Sequence, residues 1–173
     1  MEEGRRQRRL ELLMRHVVPG GERISAAPAC GIMAYVGPEE AHPFLMEGLR
    51  ILQNRGYDSA GMASIGAGGM VTTKYASSAS TNDAVAKLGR EVGRHAGHRV
   101  GIAHTRWATH GAKTDRNAHP HCDERRQVAV VHNGIIDNAS ELRAELEAAG
   151  VHFASETDTE VVAQLMGRAM SGG

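Results

Sequence analysis

Cys30 and three polar stretches carry side chains that could act together on an amide. Cys30 stands directly before residues 31–36, an apolar run typical of a buried strand, and its thiol is a candidate nucleophile. HTRWATHG (104–111), HNGIIDN (132–138) and SETDTE (155–160) each follow a run that also suits a strand. Because loops at strand ends commonly hold functional side chains, we expect these segments to form one site.

Each of these segments offers a group with a defined chemical role. Arg106 could bind an α-carboxylate through two parallel hydrogen bonds, and Asp158 could pair with an α-ammonium group. The side-chain amide of Asn133 and the N–H of Gly134 could form an oxyanion hole for a tetrahedral intermediate. With Cys30 as the acyl acceptor, the set predicts attack on the side-chain amide of an amino acid.

The sequence offers no obvious general base for Cys30, because no histidine is placed by its spacing as a partner of the thiol. An α-amino group has a pKa near 7.7–8.0 and could take the thiol proton if the chain were cut before Cys30. Cys30 follows a small-residue linker and precedes a strand, which suits this mechanism, but the sequence does not show cleavage.

The elements predicted around these segments mix strands with helices. Apolar runs predict the strands, and helical spacing of residues such as Leu45, Leu49 and Leu52 predicts the helices. Strands are expected at 31–36, 61–65, 70–75, 99–104, 127–132 and 151–154, and helices at 42–53, 81–91, 138–149 and after SETDTE. This order favours an α+β fold over a βαβ repeat.

Length and composition limit the classes of protein to which this chain could belong. The 173 residues suit one domain, and the 20 basic and 20 acidic residues cancel, so charge gives no argument for a nucleic-acid partner. No apolar run is long enough to span a membrane, and two cysteines suit a reducing, cytoplasmic setting. We expect residues 1–29 to be an extension or possible propeptide, and residues 30–173 to be the working domain.

Histidines are concentrated in one region, since seven of the ten lie between His95 and His132. His119, His121 and Cys122 could ligate zinc, although zinc sites favour tighter pairs such as HxxxH or CxxC. Cys122 has no supporting motif and is expected to be structural or surface-exposed. We therefore do not expect a metal site at these residues.

Six motifs occur in order along the chain: CGIMAYVG, LQNRGYDSAG, GIAHTRWATHG, NAHPH, VVHNGIIDN and SETDTEV. They resemble the N-terminal glutaminase domain of the glutamine–fructose-6-phosphate aminotransferase family, which is a class II, N-terminal-nucleophile amidotransferase family. The resemblance runs from Cys30 to about Met166. RGYDSAG with HTRWATHG favours this family over amidophosphoribosyltransferase, glutamate synthase and asparagine synthetase.

The resemblance implies the same central roles as the residue types. Cys30 corresponds to the nucleophile. Asn133 and Gly134 correspond to the oxyanion hole, and Arg106 and Asp158 to the groups that hold the backbone of L-glutamine.

The resemblance also implies a set of supporting residues. Trp107, Thr109 and His110 would line the glutamine pocket. Arg55 and Gly56 would support the site from a loop that faces the nucleophile.

The family implies an N-terminal-nucleophile (Ntn) hydrolase fold, an α/β/β/α sandwich, here C-terminally truncated because the chain stops at Gly173. Ammonia would pass to fructose 6-phosphate only through sugar-isomerase domains that this chain lacks, and the full-length family suggests a homodimer. The family's nucleophile normally follows only an initiator methionine, whereas 29 residues precede Cys30 here.

Three other functions remain open on the sequence. A different class II amidotransferase would differ in its acceptor domain. An inactive fragment or glutamine-binding module would bind glutamine without turnover. A zinc hydrolase built from the histidine cluster would contain stoichiometric metal.

Overall fold

A four-stranded antiparallel sheet forms the centre of the fold. The structure is a computed structural model, and it describes residues 30–52, 58–78, 82–107 and 112–172. The sheet has the strand order β1-β4-β2-β3. Its strands are β1 (Gly31–Val36), β2 (Ser59–Gly66), β3 (Gly69–Ala76) and β4 (Val100–Arg106).

Helices and a smaller sheet complete the described structure. Two short strands, β5 (His121–Cys122) and β6 (Ala129–Val130), pair with each other. The helices are α1 (Ala41–Leu52), α2 (Ala84–Arg90), α3 (Ala139–Ala148) and α4 (Thr159–Met170), with a 3-10 turn at Val92–His95. None of the described helices is long and apolar enough to cross a membrane. The antiparallel pairing confirms the predicted α+β class.

The strand predicted at 127–132 is mostly wrong, since only Ala129–Val130 forms β6. The carboxylate of Asp123 accepts the backbone N–H groups of Gln127 and Val128, each at 2.7 Å. Those two donors therefore bond to a side chain within a turn and cannot extend the strand ladder.

The strand predicted at 151–154 is absent from the described structure. The N–H of Val151 donates to the carbonyl of Leu146, which closes the end of α3. The N–H of Ala154 donates to the carboxylate of Glu160 at 2.7 Å. This segment thus joins two helices, and its backbone is satisfied by their ends.

One face of the main sheet packs on α1 and α2. Leu45 and Leu49 are fully buried there, as the helical spacing predicted. They lie in one cluster with Met62 of β2 and Leu88 of α2, which are also fully buried. Burial of a leucine side chain contributes about 1.5–3 kcal/mol, so this layer anchors the strands that carry the site.

The opposite face of the main sheet is apolar and exposed near one end. Val36 of β1 is 79% exposed at this end, in register with Val100 of β4, which in turn pairs with Ile65 of β2. Within the described ranges, no strand pairs with the outer edge of β1.

The register of β1 on β4 brings Cys30 to the end of β4. Gly31 pairs with Thr105, and the N–H of Gly31 donates to Thr105 Oγ1 at 3.2 Å. A Cβ at position 31 would lie 2.6 Å from Leu52 Cδ1, so glycine allows the end of α1 to approach the strand. Cys30 is therefore held beside Trp107, the residue that follows β4.

Candidate active site

Six of the ten predicted site residues line one cavity of about 390 Å³. They are Cys30, Arg106, Trp107, Asn133, Gly134 and Asp158. The other four, Arg55, Gly56, Thr109 and His110, lie outside the described residues. The volume is typical of sites for small molecules.

The thiol of Cys30 is directed at the backbone of Trp107. The N–H of Trp107 donates to Cys30 Sγ at 3.2 Å, and the sulfur lies 3.7 Å from the carbonyl oxygen of Trp107. Cys30 is only partly buried. The thiol is therefore positioned by the backbone that follows β4, and it remains accessible to a ligand in the cavity.

The side-chain amide of Asn133 is held at both ends. Its Nδ2 donates to the carbonyl oxygen of Cys30 at 3.1 Å. Its Oδ1 lies 2.7 Å from His104 Nε2. The amide of Asn133 is thereby fixed beside the nucleophile, where one N–H of Nδ2 can stabilise an oxyanion.

Gly134 occupies a backbone conformation that suits glycine. Its φ is +153°, and a Cβ at this position would lie 2.9 Å from His132 Nε2. A side chain here would be strained and would press on His132. The chain can therefore turn closely along the cavity wall directly after Asn133.

Arg106 is positioned through the buried side of the cavity. Its Nη1 donates to the carbonyl oxygen of Asn117 at 3.4 Å. Asn117 is fully buried, and its own side chain bonds to the backbone N–H and the carboxylate of Glu156. The guanidinium is thus linked through one asparagine to the loop that leads into α4.

Asp158 connects two loops. Although it stands at the N-cap position of α4, its carboxylate makes no capping hydrogen bond in the described structure. Asp158 Oδ2 instead accepts the backbone N–H of Ile136 at 2.9 Å. The carboxylate therefore ties the segment after Gly134 to the start of α4 and faces the same cavity as Arg106.

Glu160 holds the loop before α4 through hydrogen bonds to its backbone. It is 1% exposed, and its carboxylate accepts the backbone N–H groups of Ala154 at 2.7 Å and Ser155 at 2.6 Å. Two N–H donors and a buried carboxylate form charge-assisted hydrogen bonds. This arrangement fixes the backbone that presents Asp158.

Three buried histidines pack behind Asn133. The rings of His104 and His119 stack with centroids 4.4 Å apart, and His121 meets His119 edge-on at 4.5 Å. Burial lowers the pKa of His104 to about 4 and that of His121 to about 2, and it holds the pKa of His119 far below its usual range. All three rings are therefore neutral at physiological pH.

The ring nitrogens of these histidines bond to separate partners. His104 Nε2 faces Asn133, His119 Nδ1 accepts the N–H of His132 at 3.4 Å, and His121 Nε2 lies 2.9 Å from Thr157 Oγ1. Within the described ranges, no group of three or more His, Cys, Asp or Glu side chains is arranged to hold a metal ion.

The zinc hypothesis relied on Cys122 as well as on two of these histidines. Cys122 Sγ lies 3.4 Å from Thr72 Oγ1, on β3, and does not line the cavity. This places the thiol in a hydrogen bond on the main sheet and outside the candidate site.

Lys74 secures the segment that contains Asn117. Its ammonium group donates to the carbonyl oxygens of Arg116, Ala118 and Pro120 at 3.0, 2.8 and 3.2 Å. Burial lowers the pKa of Lys74. The segment has no regular secondary structure at these residues, so the hydrogen bonds from β3 replace those of a helix or strand.

Sequence reasoning missed His104, Asn117 and Glu160 as parts of the site. His104 and Asn117 lie within quoted motifs, but spacing alone does not tell which partner a buried polar side chain meets. The spacing Thr157-x-x-Glu160 matches a capping box and could have marked Glu160 as a loop-holding residue.

Comparison with known proteins identifies the family of this chain. A sequence profile described as "Glutamine amidotransferase domain" matches residues 67–170. A glutamine–fructose-6-phosphate aminotransferase of Mycolicibacterium smegmatis is 51% identical over 146 residues, which cover 83% of this chain and 23% of that protein. The enzyme of the same name from Streptomyces coelicolor is 52% identical over 139 residues, with 79% and 22% covered. The predicted resemblance is therefore confirmed, and the chain spans less than a quarter of these relatives.

Solved structures support the same assignment at the level of the fold. The chain is similar to a glutamine phosphoribosylpyrophosphate amidotransferase from B. subtilis, with a TM-score of 0.61 and 27% identity over 79% of this chain and 29% of the other. An allosteric regulatory enzyme of purine biosynthesis gives a TM-score of 0.63 and 28% identity over the same shares. These likenesses confirm the predicted α+β Ntn fold. The profile match, the relatives and the shared fold agree, and the chain belongs to the glutamine amidotransferase domain family.

Proposed function

We propose that this chain hydrolyses the side-chain amide of L-glutamine with Cys30 as the nucleophile. The observation that carries the proposal is the convergence of a thiol, an amide donor, a guanidinium and a carboxylate on one cavity of about 390 Å³. Cys30, Asn133, Arg106 and Asp158 supply these four groups. Each matches one part of an amino acid substrate with a side-chain amide.

The reaction divides into acylation and hydrolysis. The α-amino group of Cys30, once exposed, takes the thiol proton, and the sulfur attacks the side-chain carbonyl carbon of glutamine. Asn133 Nδ2 and the N–H of Gly134 stabilise the negative oxygen of the tetrahedral intermediate. The carbon–nitrogen bond then breaks, and the α-ammonium group returns its proton to the leaving amine, which departs as ammonia.

Hydrolysis of the thioester restores the enzyme. Water attacks the acyl carbon while the α-amino group of Cys30 accepts a proton from it. The carbon–sulfur bond then breaks, the sulfur regains the proton, and glutamate leaves. This scheme requires removal of residues 1–29, since an acylated amine cannot serve as the base.

Substrate binding is assigned to charged groups on both sides of the cavity. Arg106 holds the α-carboxylate, and Asp158 holds the α-ammonium group. Trp107 lines the pocket, and by the family resemblance Thr109 and His110 would bind glutamine beside it. By the same resemblance, Arg55 and Gly56 would support the site.

The wider role of the chain follows from its relatives. We place it as the glutaminase part of a glutamine–fructose-6-phosphate aminotransferase, which supplies ammonia for glucosamine 6-phosphate synthesis. Fructose 6-phosphate would bind outside this chain, on domains that complete the longer enzyme, and the complete enzyme would be a homodimer. The role requires no cofactor, nucleic acid or membrane, and two free cysteines suit the cytoplasm.

A glutamine-binding module without turnover is the second candidate. It is favoured by the 29 residues that precede Cys30, which leave its nitrogen in a peptide bond unless they are removed. Such a module would use Arg106 and Asp158 for binding and would leave the thiol idle.

The test combines the mass of the full chain with an assay. The protein is purified from its own host, its intact mass and N-terminal peptide are determined, and glutamate release from glutamine is measured. We expect a chain that begins at Cys30 and turns glutamine over, with no turnover by Cys30→Ala. A chain that begins at Met1 and binds glutamine without turnover would establish the binding module instead. Absence of both binding and turnover would overturn both functions.

A further inference from the structure

We propose that His104 is a positioning residue that fixes the oxyanion donor, because its Nε2–H locks the side-chain amide of Asn133 in one orientation. This inference rests on the proposed glutaminase function, in which Asn133 Nδ2 faces the developing oxyanion. His104 does not itself need to contact glutamine.

The orientation of the Asn133 amide follows from the groups at its two ends. The carbonyl oxygen of Cys30 lies 3.1 Å from one end of the amide and can only accept a hydrogen bond, so that end must be the NH₂ group. The other end is then the carbonyl oxygen, which lies 2.7 Å from His104 Nε2. This oxygen can only accept, so Nε2 must carry the proton.

The protonation state of His104 is consistent with this assignment. The ring is 1% exposed, and its Nδ1 has no hydrogen-bond partner in the described part of the chain. Burial lowers its pKa to about 4, so the ring holds a single proton at neutral pH. With that proton on Nε2, Nδ1 keeps a bare lone pair.

Rotation of the Asn133 amide by half a turn would be unfavourable at both ends. Its oxygen would face the carbonyl oxygen of Cys30, and its NH₂ group would face the N–H of His104. In the observed orientation one N–H of Asn133 bonds to Cys30 and the second remains for an oxyanion. Removal of the donor at position 104 takes away half of this constraint.

His95 provides a matched control, because it is a buried histidine away from the cavity. It is also fully buried, and burial lowers its pKa to about 4. Its ring nitrogens bond to Ser64 Oγ at 2.6 Å and Thr73 Oγ1 at 3.0 Å, and it does not line the cavity. A substitution there costs a buried histidine without touching Asn133.

The kinetic test compares three variants of the full chain with the wild type. His104→Phe keeps a ring to stack on His119 but removes the donor, and we expect kcat to fall about 10- to 100-fold, below the full effect of losing an oxyanion donor. KM should stay within about threefold, because the substrate-binding charges are unchanged. His104→Gln retains an N–H donor and should recover most of kcat. His95→Phe should leave kcat within about threefold.

Several kinetic results would contradict the proposal. Wild-type kcat in His104→Phe would do so, as would equal losses in the Phe and Gln variants or an equal loss in His95→Phe. Failure of the proposed function gives a different result, because Cys30→Ala would then retain turnover. If Cys30→Ala is inactive but His104→Phe turns glutamine over normally, only the role of His104 is contradicted.

A second measurement needs neither activity nor a folded variant. Two-bond ¹H–¹⁵N correlation spectra of the ¹⁵N-histidine-labelled wild type report the tautomer of each histidine ring. The His104 signals are identified by their loss in His104→Gln. If that variant is unfolded, they are identified by their through-space contacts to Asn133. A neutral ring protonated on Nε2 is expected at pH 7. A ring protonated on Nδ1, or an imidazolium, would overturn the proposal.

Discussion

Asn117 and Glu156 exchange two hydrogen bonds across the rear of the cavity. Asn117 Oδ1 accepts the backbone N–H of Glu156 at 3.0 Å, and Asn117 Nδ2 donates to Glu156 Oε2 at 3.3 Å. The backbone carbonyl of Asn117 also receives the guanidinium of Arg106. One buried asparagine thus links Arg106 to the loop that leads to Asp158, and these two residues are proposed to bind the two charged ends of glutamine.

Substitution of Asn117 by alanine should weaken both stability and binding. We expect the free energy of unfolding to fall by about 1–3 kcal/mol, because the fully buried Asn117 side chain loses its hydrogen bonds to Glu156 and to the carbonyl oxygen of Ala112. KM should rise more than kcat falls. Urea unfolding and steady-state kinetics measure the two effects, and a variant with unchanged stability and KM would contradict the linking role of Asn117.

Substitution of Cys30 by alanine should abolish glutamine hydrolysis while leaving glutamine binding intact. The reason is that in the proposed reaction the thiol forms the covalent intermediate, whereas the charges proposed to bind glutamine lie on other elements. Calorimetry with glutamine and an assay of glutamate release separate the two. Cys122→Ala is the matched control, since Cys122 is also a free, partly buried cysteine but lies outside the cavity.

Substitution of Asn133 by alanine should lower kcat about 10²–10³-fold with little change in KM, because the oxyanion exists only after attack. The measurement is steady-state glutaminase kinetics. A rise in KM without loss of kcat would instead assign Asn133 to ground-state binding.

Substitution of Arg106 by alanine should chiefly weaken binding, by about 10- to 100-fold, as expected for loss of a hydrogen bond between charged groups. Calorimetry in the Cys30→Ala background gives the dissociation constant without turnover. Arg106→Lys keeps the charge but loses the planar pair of donors, and it should recover only part of the affinity. Full affinity in Arg106→Ala would exclude this residue from binding.

Stability should fall as pH decreases from about 6.5 to about 4. Burial lowers the pKa of His95 and His104 to about 4 in the folded chain, whereas the unfolded chain binds these protons near pH 6.5. Over this interval the unfolded state holds more protons, so protonation favours unfolding, with a slope of about 1.4 kcal/mol per pH unit for each histidine.

Urea unfolding at several pH values tests this acid sensitivity. His95→Gln removes one of the titrating groups and should reduce the slope of stability against pH by about 1.4 kcal/mol per pH unit. A stability profile that is flat from pH 6.5 to pH 4 would show that the buried histidines titrate normally.

The motifs of this sequence predicted the site better than the strands around it. Cys30 was placed by its chemical type and its position before an apolar run, and Arg106, Asn133 and Asp158 by chemical type and their position after such runs. All four line one cavity. Helix α1 was also predictable, since its leucine spacing directly reflects one buried face.

The elements that sequence reasoning misplaced are those where side chains bond to backbone. Asp123 and Glu160 take N–H groups that a strand would have used, and neither pairing is encoded in a periodic pattern. The role of His104 likewise depends on a partner 29 positions away in sequence, which only the folded chain reveals.

The three carbonyl oxygens around Lys74 need three hydrogens on one nitrogen. An ammonium group has three N–H hydrogens, whereas a neutral amine has two, so deprotonation leaves one carbonyl oxygen without its hydrogen bond. Because burial lowers the pKa of Lys74, this loss comes at a less alkaline pH than for an exposed lysine. The segment that holds Asn117, and with it Arg106, therefore depends on the protonation of a lysine that does not line the cavity. Acetylation of the Lys74 amine would also remove hydrogen-bond donors and would loosen the segment in the same way.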